Sequence, residues 1–140
     1  MEEQLAQAAG HGDMAWILVS AALVLFMTPG LAFFYGGMVR TKNVLNMFMM
    51  NFWCLLVIPL LWVVAGYSLA FSGDGKFLGN LDNAMFKNFD FASIDPLWAI
   101  FLATFAAITP ALISGAVADR IKFSAWAVFV PIWSLLVYVP

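Results

Sequence analysis

The segment Met27-Thr28-Pro29-Gly30-Leu31-Ala32-Phe33-Phe34-Tyr35-Gly36-Gly37-Met38-Val39-Arg40-Thr41-Lys42-Asn43-Val44-Leu45-Asn46 decides the fold. An uncharged apolar run ends abruptly at two cations and an asparagine, and a second apolar run begins at once. Gly30, Ala32, Gly36 and Gly37 stand among Phe33, Phe34 and Tyr35. Small residues let membrane helices approach closely, and aromatics set among them can line a narrow passage. The pattern predicts a membrane-embedded helix built for tight packing, followed by a short basic turn.

Composition extends that reading to the whole chain. Only 10% of the 140 residues are charged and the mean hydropathy is +0.95. A soluble domain carries roughly a quarter charged residues, so that class is excluded. Six Lys and Arg against eight Asp and Glu are too few cations for a nucleic-acid surface. The single cysteine, Cys54, sits inside an apolar run and reads as a small buried hydrophobe.

Charges divide the chain into four runs without them: Met14 to Val39, Asn43 to Gly73, Pro96 to Ala118, and Phe123 to Pro140. A spanning helix needs about 20 apolar residues, and none of the runs shows the polar stripe of a soluble amphipathic helix. The expectation is an all-α membrane protein with helices at about 14–39, 44–72, 96–118 and 123–140 and an outer loop at about 73–95. Arg40 and Lys42 mark the first connection, and Arg120 and Lys122 the third. Short basic loops stay in the cytoplasm, which puts the N-terminus outside. Glu2 and Glu3 follow Met1 where a signal peptide would be basic.

The long connection opens with the turn cluster Ser72-Gly73-Asp74-Gly75 and continues through Gly79-Asn80 and Asp82-Asn83. Phe77, Leu78, Met85, Phe86, Phe89 and Phe91 make it apolar enough to fold back onto the protein. Asp95-Pro96 reads as a helix start with Asp95 as N-cap, and Trp98 suits an interfacial belt. Pro29, Pro59, Pro110 and Pro131 fall inside the spans, where each removes a helix hydrogen bond. Thr28 and Thr109 precede two of them and are placed to return a hydroxyl to the backbone.

In the third span Phe101, Phe105, Ile108 and Leu112 recur on one helix face. On spacing alone this stripe fits a packing face, with a pore lining as the alternative. Thr104, Ala107, Ser114, Gly115 and Ala118 are small and occupy other faces. No Asp, Glu or His lies within a span, which argues against a proton relay or metal site there. His11 belongs to the outer tail. No nucleotide loop, catalytic triad or carboxylate pair appears, so neither an enzyme nor a cofactor is expected.

Three blocks carry a resemblance: Leu23 to Gly37 (LVLFMTPGLAFFYGG), Trp62 to Phe71 (WVVAGYSLAF) and Phe105 to Ala125 (FAAITPALISGAVADRIKFSA). Their order and spacing resemble the first four helices of the ammonium transporter family (Amt/Mep/Rh), nearer its Amt branch, over nearly all of the chain after Asp13. The resemblance implies the N-terminal four helices of an eleven-helix inverted-repeat bundle, trimeric, with one pore per subunit. Asp119 departs from the commoner glutamate before Arg120.

Carried over by position, Phe101 and Phe105 match the aromatic recruitment site and gate at the outer mouth, with Tyr138 an aromatic near that vestibule. Leu31, Phe34, Tyr35 and Leu112 match pore-lining positions. The family's outer tryptophan, its second gate phenylalanine, its binding-site aspartate and its pore histidines are expected beyond Pro140. The implied function is passage of ammonium or ammonia, with methylammonium as analogue, across a cell membrane. A cation recruited at the aromatic mouth would lose a proton and cross an apolar pore as ammonia. A PII-type regulator at the loops Arg40–Asn43 and Asp119–Lys122 is implied by some members. Two alternatives stay open: an ammonium sensor of the same family, and a non-transporting four-helix scaffold.

Overall fold

The computed structural model describes residues 1–82, 84–87 and 92–140. Within them the chain forms α1 (Glu2–Gly36), α2 (Val44–Leu61), a π-turn (Trp62–Gly66), α3 (Tyr67–Phe71), α4 (Asp95–Val117), α5 (Phe123–Trp133) and a second π-turn (Ser134–Tyr138). Glu2–Gly36, Thr41–Phe71 and Asp95–Val117 are long and apolar enough to cross a membrane, while Phe123–Tyr138 is apolar but shorter. Asn83, Phe89 and Phe91 of the long loop lie outside the described residues.

Two boundaries differ from the sequence expectation. Helix α1 starts at Glu2 and absorbs the segment read as a tail, because Glu, Gln, Leu and Ala from Glu2 to Ala9 are strong helix formers. Glu2 and Glu3 also sit in its first turn, where carboxylates complement the helix dipole. His11 is therefore an exposed helical residue. Asp95 is the first residue of α4 and not its cap; the Ser93 hydroxyl accepts the Asp95 amide at 3.2 Å instead.

Both π-turns begin three residues after a proline, Pro59 and Pro131. A proline has no N–H to give the carbonyl four residues back. The register then slips to five: the Tyr67 amide donates to Trp62 O and the Val139 amide to Ser134 O at 3.0 Å. In hydrocarbon the orphaned carbonyl still needs a donor. Pro131 frees the carbonyl of Ala127, and the indole Nε1–H of Trp53 on α2 donates to that oxygen at 3.3 Å. Two further indoles bridge helices: Trp126 to Met50 O at 3.0 Å and Trp62 to Ala99 O at 3.1 Å.

Helices α2 and α4 are central; α1 packs against both, and α5 against α2. The core joins Met50, Cys54, Ile58 and Trp62 to Ala103, Ala106, Ala107 and Ala111, with Trp126 and Val130 closing it from α5. Cys54 is fully buried, as its apolar setting predicts. The α4 face that packs is thus its small-residue face. Of the expected stripe, Ile108 is buried while Phe105 and Leu112 stay exposed. Lipid is as apolar as leucine, so close backbone approach, not removal of large side chains from water, selects the packing face.

Helix direction gathers Arg40, Lys42, Arg120 and Lys122 at one end of the bundle. There the Asn43 amide donates to the Asp119 carboxylate and ties the two short loops together. Asp119 has φ +63°, the left-handed region that Asp tolerates better than most residues. At the opposite end the long loop returns onto α3. Gly79 N donates to Leu69 O, Asn80 N to Ser72 O, and the Ser68 hydroxyl to Asn80 O. A Cβ on Gly79 would collide with the Ser72 carbonyl oxygen, so this return needs glycine. Phe86 packs edge-on against Tyr67 at 5.9 Å, whereas Phe77 and Met85 remain exposed.

Replacing Trp53 with Phe should cost about 1 kcal/mol, the net value of one hydrogen bond, read from thermal melting in detergent. In a Pro131→Ala background, where residue 131 regains an N–H for Ala127, the same replacement should cost distinctly less. Equal costs in the two backgrounds would refute the proline–indole pairing.

Candidate functional site

One face of the chain is apolar, aromatic and open. Helix α4 presents Phe101, Phe105 and Leu112, and α1 presents Leu31, Phe34 and Tyr35. Phe34, Phe105 and Leu112 are exposed, while Leu31, Tyr35 and Phe101 are half-buried. The rings of Phe101 and Phe105 meet edge-on at 5.0 Å, and Trp98 meets Phe101 edge-on at 5.8 Å. The three form a ladder from the N-terminal end of α4 into its middle. Such edge-to-face pairs are favourable by about 0.5–1.5 kcal/mol beyond area burial, so each ring fixes the next.

The Thr109 hydroxyl returns to the Phe105 carbonyl at 2.8 Å, the backbonding its place before Pro110 predicts. Thr28 does not follow: its hydroxyl is buried without a hydrogen-bond partner.

Nearer the basic end, α1 and α4 are joined by a polar contact within this face. The Tyr35 hydroxyl donates to the Leu112 carbonyl at 3.1 Å. Gly115 makes room for the ring: a Cβ there would lie 2.8 Å from Tyr35 Cζ and 3.0 Å from its hydroxyl. In the sequence Gly115 reads only as small. Its place one turn beyond Leu112 is the available signal, but the ring it accommodates comes from another helix.

Behind this face lies a buried polar contact between α2 and α4. Asn51 donates to Met47 O at 2.9 Å and meets the Ser114 hydroxyl at 3.4 Å; Ser114 donates to Ala111 O at 2.6 Å. The Asn51 side-chain oxygen is buried and unpartnered. Asn51 is absent from the sequence-derived candidates; an amide inside an apolar run is the signal that marks it.

Tyr138 stands apart from the phenylalanine ladder. It ends the second π-turn and its ring lies 6.4 Å from Trp62 and 6.5 Å from Trp133. Among the described residues no group of three or more His, Cys, Asp or Glu is placed to hold a metal ion. The geometry offers π faces, backbone carbonyls and hydroxyls along an apolar surface, suited to guiding a small, weakly held solute.

Residues 15–140 match the family model described as the Ammonium Transporter Family. The chain is 48% identical to an ammonium transporter of Mycobacterium tuberculosis over 92% of its length, covering 32% of that protein. It is 49% identical to a putative ammonium transporter of Methanothermobacter thermautotrophicus, again over 92% of the chain and 34% of the relative. The chain thus spans about a third of the relatives it matches. Among solved structures, Candida albicans Mep2 superposes with a TM-score of 0.80 at 36% identity, covering 91% of this chain and 30% of that one. Saccharomyces cerevisiae Mep2 gives 0.80 at 34% identity, with the same shares covered.

Gly115→Ala should destabilise the protein by about 1–3 kcal/mol, the usual range for overpacking, and the cost should shrink when Tyr35→Leu is present. Thermal melting of the two single variants and the double variant decides it; a cost independent of residue 35 would show that the two do not compete for space.

Proposed function

Since this chain belongs to the ammonium transporter family, we propose that it supplies part of a pathway that passes ammonia across a membrane after recruiting ammonium at an aromatic mouth. The observation that carries this is the open face of α1 and α4, where the Trp98–Phe101–Phe105 ladder leads toward Leu31, Phe34, Tyr35 and Leu112. No Asp, Glu, Lys, Arg or His falls between Met14 and Val39 or between Pro96 and Ala118, the runs that bear it.

The chemistry follows from those groups. Ammonium and potassium are alike in charge and size, so a charged filter separates them poorly. A π face attracts the cation by about 0.5–2 kcal/mol, and hydrogen-bond acceptors favour ammonium because it carries N–H donors. Moving it into an apolar passage disfavours the charged form. Ammonium can lose a proton and continue as ammonia; potassium cannot. In this reading Phe101, Phe105 and Tyr138 serve recruitment and gating, and Leu31, Phe34, Tyr35 and Leu112 line the passage.

The same reading includes, by family membership, a homotrimer in the cell membrane; its N-terminus is placed outside because the four cations of the short connections cluster at one end. That end, with Arg40, Lys42 and the Asn43–Asp119 contact, is where a PII-type regulator would dock. Methylammonium is the expected labelled analogue.

Expressed from its native gene in cells lacking their own ammonium uptake, the protein should restore growth on limiting ammonium. Phe105→Asp, which puts an anion in the ladder, should abolish it at equal membrane abundance. Uptake that survives Phe105→Asp would remove this face from the pathway. With Cys54 buried, cysteines introduced at Lys42 and Arg120 should label from the cytoplasmic side only, and one at Gly10 from the outside only. The reverse pattern would invert the orientation.

A further inference from the structure

We infer a second cation site at the outer end of the Trp98–Phe101–Phe105 ladder, formed where Asp13, Trp16 and Ser20 of α1 face Trp98, the first rung, on α4. It rests on the transport reading only for its purpose; the site itself stands on its own geometry. These residues, with Ile17, Ile94 and Phe101, surround a cavity of about 260 Å³ at the end opposite the basic loops.

The lining has the chemistry of a weak monovalent-cation site. Among the described residues Asp13 is the only charged one in it, so they give the site a single negative charge. That is enough to attract an ammonium-type cation and too little to trap a divalent one. The indoles of Trp16 and Trp98 are both substantially exposed, at 72% and 44%, and tryptophan offers the strongest π face for a cation. Ser20 adds a hydroxyl acceptor. The cavity opens to the surface, so the cation can enter with much of its hydration shell and need not be stripped at this stage.

Sequence spacing builds the site and connects it to the face below. Asp13, Trp16, Ile17 and Ser20 follow the i, i+3, i+4, i+7 pattern of one helix face. Eighteen residues, about five turns at 3.6 residues each, separate Asp13 from Leu31 and also Trp16 from Phe34. The acidic cavity and the apolar face therefore stand on the same side of α1. On α4, Phe101 both lines the cavity and contacts Phe105 at 5.0 Å. A cation held between Asp13 and the indoles is thus already at the first ring of the ladder.

The test uses the purified protein, expressed from its native gene, in lipid nanodiscs. Methylammonium chloride is titrated against sodium chloride at constant ionic strength while tryptophan fluorescence is followed. The wild type should give a saturable change. Asp13→Asn, which keeps every indole, should weaken it about 2- to 5-fold, as should Trp16→Leu, in line with one exposed carboxylate or one exposed π face. Asp13→Glu and Trp16→Tyr should largely restore it. No saturable change in the wild type, or equal affinity in the wild type and Asp13→Asn, would overturn the site.

A parallel uptake assay separates this proposal from the function it serves. Asp13→Asn should raise KM for methylammonium by the same factor with kcat held. The expected titration without any wild-type uptake would leave the site standing and remove the transport reading. Uptake with an unshifted KM and an unshifted titration would do the reverse.

Discussion

In hydrocarbon a backbone carbonyl without a donor costs several kcal/mol, and this chain places four prolines inside its helices, each of which creates one. One contact between helices answers that constraint directly, and the helix register responds at two of the prolines. After Pro59 and Pro131 the helix widens to a π-turn, in which the Tyr67 amide donates to Trp62 O and the Val139 amide to Ser134 O. Across the gap from Pro131, the Trp53 indole supplies the donor that the proline lacks. A tryptophan can do this because its body is apolar and its one N–H is fixed in direction. Trp62 and Trp126 make the same kind of crossing from helix to helix, so the indoles set the relative height of α2, α4 and α5.

The open face depends on this arrangement. Tyr138 ends the widened last helix turn with its ring 6.4 Å from Trp62, and on α4 the Thr109 hydroxyl donates to the Phe105 carbonyl. Packing α4 through its alanines brings α1 and α2 close enough for Tyr35 to reach Leu112 and for Asn51 to meet Ser114. The larger side chains of α4 are then left outside the core of these helices. Phe105 and Leu112 are exposed because the small residues won the packing face. The surface proposed for transport and the surface that builds the bundle are two sides of one choice.

Much of this is legible in the residues. The membrane class follows from 10% charge, and the spans follow from where charges stop. The three family blocks identify the fold without any contact being known. The site is legible only as positions: Phe101 and Phe105 at i and i+4 necessarily share a face, and they touch. Tyr138 shares no such local relation with them, and its ring goes to Trp62 and Trp133 instead. Of the stripe of large apolar residues, Ile108 is buried and Phe101 half-buried while Phe105 and Leu112 are exposed, because lipid weakens the drive to bury large side chains. The helical tail is hard to read for a different reason. Its Glu2–Ala9 propensity is local and readable, but two glycines, Gly10 and Gly12, make it look like a break.

By itself the sequence determined the solvent, the runs that become helices, and the basic end, because hydropathy and charge act on each segment independently of its neighbours. Tertiary structure alone decided which donor answers which proline, which face of α4 is buried, and which ring Gly115 must admit. It also decided that Asp13 and Trp16 share a cavity with Trp98. Several of these contacts join residues far apart in the chain: 74 positions separate Trp53 from Ala127, and 77 separate Tyr35 from Leu112. No local period carries information over such a distance. What brings these residues together is the close packing of small side chains and the need to leave no backbone group unpaired.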